Sequence, residues 1–202
     1  MRIPKPVLAV LLLGCLLWAA AAAAQSPPAD APPTALVIID IQDFYFPGGA
    51  LPLVGPEAAG ANAGLVLARF RERGLPVFHV GHDAQAGKGF HAAVAPREGE
   101  DVLFKNEVNA FRDTDLLDRL QKRGILRVVL CGMQTHMCLE GAARAAADYG
   151  FDVVVVGDAC ATRDLKYGET VVPAAAVHAS TLATLDRVYG RVIDTQAALS
   201  EF

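Results

Sequence analysis

Six short apolar runs punctuate the chain: Ala35–Ile39, Pro76–Val80, Val102–Phe104, Val128–Leu130, Asp152–Asp158 and Val192–Asp194. None alternates with polar residues, so each reads as an interior strand covered on both faces. Between them the pattern lengthens to helical period. Glu57–Arg73 is stopped by Gly74, and a helix capped by Asp113 or Thr114 runs to Lys122 and closes at Gly124. Thr135 is a candidate cap for an alanine-rich helix ending at Tyr149-Gly150. Thr170–Tyr189 carries Pro173 in its first turn, and Thr195 begins a last helical turn or two. Strand and helix alternate with short connections, apart from two longer loops at residues 44–56 and 82–100. This pattern predicts a three-layer α/β/α domain with a mostly parallel, Rossmann-like sheet of five or six strands, with neither an internal repeat nor a second domain.

The amino-terminal pattern is of another kind. Arg2 and Lys5 precede the apolar run Val7–Leu17, and Ala22-Ala23-Ala24 fits a small-residue cleavage site. Residues 1–24 therefore read as a signal peptide for export to the periplasm or medium. A retained membrane anchor ranks second. A lipoprotein signal at Leu12-Leu13-Gly14-Cys15 ranks third, since it would leave Leu16-Leu17-Trp18 and six alanines on the mature protein. Residues 25–33, rich in Pro and Ala, read as a flexible leader, and 34–202 as the domain.

Cleavage would remove two basic residues and no acidic one, taking the formal charge from −4 to −6. No basic block indicates nucleic acid, and no apolar segment beyond the signal indicates a membrane for the mature protein. Gly87-Lys88 is followed by Gly89 where a phosphate-binding loop needs Ser or Thr, so no nucleotide site is read. Beyond the signal the cysteines are Cys131, Cys138 and Cys160, without a C-x-x-C pair. Cys131 and Cys160 fall at strand ends, where they could be neighbours; both are expected to be buried and reduced.

In a parallel sheet, ligands bind beyond the carboxyl ends of the strands. Asp40, Lys105 and Cys138 each follow a different apolar run at that end, so three residues distant in sequence can meet in one crevice. Singly, each has a plainer reading: Asp40 as a loop cap, Lys105 as a solvated side chain, Cys138 as a small buried hydrophobe. Cys138 is expected in the first turn of its helix, where unpaired N–H groups and the helix dipole would make its thiol easier to ionise. His136 lies two residues from Cys138 and on a helix would point elsewhere.

The segments Ile38-Ile39-Asp40-Ile41-Gln42-Asp43-Phe44, Lys105-Asn106-Glu107-Val108-Asn109-Ala110-Phe111 and Gly132-Met133-Gln134-Thr135-His136-Met137-Cys138 resemble three motifs of the isochorismatase-like cysteine hydrolases, the nicotinamidase and N-carbamoylsarcosine amidase group. All three stand in the family's order, and the match runs from about Ala35 to Thr195. The resemblance implies a catalytic triad of Asp40, Lys105 and Cys138. It also implies a cis peptide at Met133-Gln134 and an oxyanion hole from the Gln134 and Cys138 N–H groups. The expected activity is hydrolysis of an amide or carbamoyl C–N bond in a small molecule through a Cys138 thioester, without a cofactor, by a homodimer or homotetramer. Phe44, Phe46, Phe111 and His136 are candidates for the pocket wall.

Metal-binding nicotinamidases carry Asp-x-His after the second strand, and that triplet occurs nowhere in this chain. No metal is expected, although His82, Asp83 and His91 leave another His/Asp site conceivable. Members that cleave isochorismate itself lack the cysteine. The alternatives are a thiol redox enzyme or sensor and a non-catalytic small-molecule-binding protein.

Overall fold

A computed structural model of the chain describes residues 31–84 and 87–202. The signal-peptide reading, and all but the end of the leader, lie outside the described residues. No helix among those described is long and apolar enough to cross a membrane.

The first strand, β1 (Thr34–Ile39), is buried at every position. Its odd residues Ala35, Val37 and Ile39 enter one core, and its even residues Leu36 and Ile38 enter the other. The period of two along a strand produces this split, and an unbroken apolar run satisfies both faces. The other principal strands are β2 (Val77–His82), β3 (Asp101–Lys105), β4 (Arg127–Met133), β5 (Asp152–Ala161) and β8 (Arg191–Ile193). They form one six-stranded sheet in the order β3-β2-β1-β4-β5-β8. Every pairing in it is parallel.

Helices α1 (Pro56–Glu72) and α5 (Thr195–Glu201) cover one face through Ala63, Val66, Leu67, Phe70, Ala198 and Phe202. Helices α2 (Leu116–Lys122), α3 (Glu140–Asp148) and α4 (Ala174–Leu185) cover the other. Leu116, Leu120, Ala142, Ala146 and Leu185 supply that core. The expected three-layer α/β/α architecture is the one observed.

Several local elements differ from the sequence reading: β2 runs past Val80 to His82, and α2 starts at Leu116 with Asp115, not Asp113 or Thr114, at its cap. The helix expected from Thr170 begins at Ala174. Before it stands an antiparallel hairpin of β6 (Leu165–Tyr167) and β7 (Thr170–Val172), and Pro173 is the helix N-cap. Proline lacks the N–H and fixes φ, so it sits as comfortably at the cap as in the first turn. β5 runs on to Ala161, past Asp158, because the β4–β5 register shifts between Leu130 and Gly132 and resumes at Gly132–Cys160. Within that strand Asp158 Oδ1 accepts from the Thr195 N–H and hydroxyl at 2.8 Å each, at the start of α5. A further difference, at the turn bearing Cys138, belongs to the site.

The strand order reverses direction between β1 and β4, the switch point at which a doubly wound sheet opens a crevice. Asp40 follows β1, and the Cys138 turn follows β4. Gly132 lets the two strand ends close on each other. It has φ +140°, and a Cβ there would stand 2.0 Å from the Ile39 carbonyl oxygen, so only glycine fits.

Candidate active site

Asp40, Lys105 and Cys138 meet above the carboxyl end of the sheet. Lys105 closes β3 with its side chain wholly buried, and its ammonium donates to Asp40 Oδ2 at 2.8 Å. A carboxylate oxygen of Asp40, a ring nitrogen of His82 and Cys138 Sγ all lie within 4.8 Å of one another. Asp40 is itself inaccessible to solvent and takes a left-handed backbone, φ 50°, which Asp tolerates better than most residues. Its Oδ1 has no hydrogen-bond partner among the described residues.

Cys138 does not sit in an ordinary first turn of α-helix. Thr135–Leu139 is a single π-helical turn that leads into α3, with Gln134 at its start. Thr135 does not cap it: that side chain is fully buried and its Oγ1 lies 2.9 Å from His178 Nδ1 on α4. The Met133–Gln134 peptide is cis. The Gln134 N–H donates to no protein acceptor among the described residues.

The expected acidity of the Cys138 thiol is reversed. Burial first, and then the neighbouring Asp40 charge, push it up to about 12, with Lys105 only partly opposing. Burial likewise raises the Asp40 carboxyl above the ordinary carboxylate range, and Lys105, the Cys138 thiol and His82 hold back that rise. Cys138 therefore rests as a thiol, and burial makes the neighbouring Asp40 carboxyl a stronger base than an ordinary one.

A pocket of about 300 Å³ opens over the sulfur, lined by Phe44, Tyr45, His82, Gln134, Met137 and Arg163 among others. Of the four wall candidates from the sequence, Phe44 alone is in this lining. Phe46 stacks on His91 at 3.6 Å between ring centroids, on the α1 side. Phe111 packs into the opposite core near Tyr149 and Phe151. His136 turns toward Thr162, with Nδ1 2.6 Å from its Oγ1. Aromatic identity could not separate these fates, because core and pocket both take large apolar rings.

Further side-chain contacts, among them those of Tyr45 and Arg163, which the sequence did not single out, complete the surroundings. Gln42, fully buried, spends its amide on the backbone of His82: Nε2 donates to the His82 carbonyl at 3.1 Å, and Oε1 accepts from its N–H at 2.7 Å. Gln134 Nε2 donates to the Tyr45 hydroxyl at 3.4 Å. Burial pushes the Tyr45 phenol up to about 12, so it remains a neutral hydrogen-bonding group. Arg163, exposed at the rim, is a cation in the lining.

The residues that left a metal site conceivable are dispersed. Asp83 pairs with Lys88 at 2.8 Å, and His91 Nδ1 accepts from the Ala93 N–H. Among the described residues, Asp40, His82 and Cys138 are the one group spaced to share an ion. The cation bonded to two of them is the Lys105 ammonium, 2.8 Å from Asp40 Oδ2 and 3.2 Å from His82 Nδ1.

The family model for the isochorismatase domain matches residues 34–196. The chain is 42% identical over 177 residues to the uncharacterized isochorismatase family protein YddQ of Bacillus subtilis, an alignment covering 82% of this chain and 98% of that one. It is 30% identical over 192 residues to maleamate amidohydrolase of Pseudomonas putida, covering 83% and 85%. A crystal structure from Oleispira antarctica, ascribed to the isochorismatase hydrolases, superposes with a TM-score of 0.81 at 39% identity, covering 86% of this chain and 99% of that one. The family model spans the whole sheet together with Asp40, Lys105 and Cys138, and on these matches the chain belongs to the isochorismatase family.

Proposed function

We propose that this protein is a cysteine hydrolase that cleaves a C–N bond of a small amide or carbamoyl compound through a thioester on Cys138. The observation that carries the reading is the convergence of the acid, the amine and the sulfur: Lys105 on Asp40 at 2.8 Å, with Asp40 and Cys138 atoms within 4.8 Å. The similarity to maleamate amidohydrolase favours the same bond type.

The chemistry runs as follows. Asp40 takes the thiol proton as Sγ attacks the carbonyl carbon, and the Lys105 ammonium offsets the charge near the sulfur. The carbonyl oxygen becomes an oxyanion, held by the N–H groups of Gln134 and Cys138. The tetrahedral intermediate expels the amine, which receives the proton from Asp40. Water, deprotonated by Asp40, then attacks the thioester carbonyl and restores the thiol. A pocket of about 300 Å³ suits a small molecule, and the Arg163 guanidinium at its rim suits one bearing an anionic group.

The redox alternative gains no support from the surroundings of Cys138. Cys131, Cys138 and Cys160 are all free thiols; Cys131 packs in the core on the α1 side of the sheet, opposite to Cys138, and Cys160, on the Cys138 side, donates its thiol to the Val156 carbonyl at 3.2 Å. Export by a cleaved signal, and a dimeric or tetrameric assembly, belong to the same proposal on the sequence grounds given above.

The test is a library of small amides and carbamoyl compounds assayed with wild type and Cys138→Ala. The expected result is turnover of at least one member that falls by at least about a thousandfold in the variant while the fold persists. Undiminished hydrolysis by Cys138→Ala overturns the reading.

A further inference from the structure

We infer that His82 is the positioning residue for Lys105, a role carried by the unprotonated Nδ1 of its imidazole. The inference rests on the cysteine-hydrolase reading of the site and adds a member to it.

His82 is the last residue of β2 and stands in parallel register with Lys105, the last residue of β3. Neighbours in register on a parallel pair present their side chains to the same face, so the ring and the amine share the ground above the sheet. Nδ1 lies 3.2 Å from Lys105 Nζ. An ammonium has donors and no acceptor, so Nδ1 must accept, and the neutral ring then carries its hydrogen on Nε2. Lys105 is thereby held at two points, by Asp40 Oδ2 at 2.8 Å and by His82, instead of swinging about one.

The ring is held in turn. Both backbone hydrogen-bonding groups of His82 are taken up by the buried Gln42 amide, two residues beyond Asp40. A fully buried amide given wholly to one residue's backbone fixes that residue against the β1 end, where the base sits. Gly81, just before it, admits the Phe90 and Phe104 rings, against which a Cβ would stand at 3.0 Å. The ring lines the pocket beside Cys138, so it can affect the chemistry as well as the fold.

A proton on Nδ1 and the Lys105 contact are mutually exclusive, because a second cation would face the ammonium. The other titratable or charged groups facing the ring are Asp40 from the end of β1, Lys105 from β3, Cys138 from the π-helical turn and Arg163 across the pocket. The discriminating comparison is therefore between wild type and a variant whose residue 82 accepts a hydrogen bond but cannot be protonated.

His82→Asn places an oxygen three bonds from Cα, as Nδ1 is, whereas His82→Leu fills similar space without an acceptor. The experiment measures the rate of iodoacetamide alkylation at Cys138, resolved by mass spectrometry, from pH 5 to 9, together with Tm. It needs no substrate, so it remains decisive if the amidase reading fails. At pH 8 the expected rate falls about tenfold in His82→Leu and stays within about threefold in His82→Asn, a difference of roughly one pH unit in thiolate availability. Equal rates and identical pH profiles in the three proteins, or equal losses in both variants that track Tm, overturn the inference.

Discussion

The Lys105 ammonium donates to Asp40 Oδ2 at 2.8 Å, and neither side chain is exposed at all. An ion pair so placed adds little net stability, because desolvating both charges consumes the Coulombic gain; breaking it by removing one partner strands the other. Lys105→Met is therefore expected to cost about 3–5 kcal/mol by urea denaturation at neutral pH, and Asp40→Asn combined with Lys105→Met to recover most of it. Both proteins are expected to be inactive, which separates the catalytic from the structural consequence. A double variant no more stable than Lys105→Met contradicts this account.

Gly132 and Ile39 make a second contact on which the site depends. Gly132→Ala places a methyl carbon 2.0 Å from the Ile39 carbonyl oxygen at a φ of +140°. The two strand ends must separate, and with them Asp40 and the Cys138 turn. The expected loss is above about 3 kcal/mol. Where the variant is still folded, activity falls further than stability does. Gly74→Ala, with φ +62° and open space around the added carbon, controls for backbone strain alone.

Away from the pocket, Glu100 ties the start of β3 to α1 and β2. Its carboxylate accepts from Arg71 at 2.6 Å and 2.8 Å and from the Arg97 N–H at 2.8 Å, and lies 2.9 Å from His79 Nε2. Burial alone would raise this carboxyl, but Arg71, the Arg97 N–H and His79 together outweigh it and bring it to about 2. Its folded value lies below its unfolded one. The stabilisation it gives is therefore present above about pH 4.5 and lost as the pH falls toward 2. Urea midpoints measured between pH 6 and pH 3 are expected to fall in wild type and to fall less in Glu100→Gln. Parallel decreases in the two proteins contradict the assignment.

At the rim, Arg163→Gln is expected to raise KM for anionic amides by about tenfold and to leave KM for neutral ones unchanged, since only the former gain a charge-assisted hydrogen bond there. Equal changes for both classes would assign Arg163 a structural role instead.

Some of the site could be read from the chain and some could not, for identifiable reasons. Asp40, Lys105 and Cys138 were legible because each follows an apolar run, and a parallel sheet gathers such positions at one edge. His82 was named only as a conceivable metal ligand in a loop, because the expected strand stopped at Val80. In the protein Gly81 lies within β2, and its missing side chain makes room for Phe90 and Phe104. A strand two residues longer would have put His82 level with Lys105. The ionisation of Cys138 was misread because the dipole argument used only the local helix. Burial and the Asp40 charge, which depend on distant segments, prevail. Of the β6–β7 hairpin, β7 was absorbed into α4 because Thr170–Val172 carries a helix-compatible apolar pattern and Pro173 is allowed on either side of a helix start.

The central claim is that Cys138 becomes acylated. Wild type mixed with a turned-over amide, quenched in acid within one catalytic cycle and fragmented by mass spectrometry, is expected to carry the substrate's acyl mass on Cys138 and on neither Cys131 nor Cys160. Under the same conditions Asp40→Asn is expected to show no adduct. Steady turnover with Cys138 never modified, or undiminished by its replacement with alanine, contradicts the account.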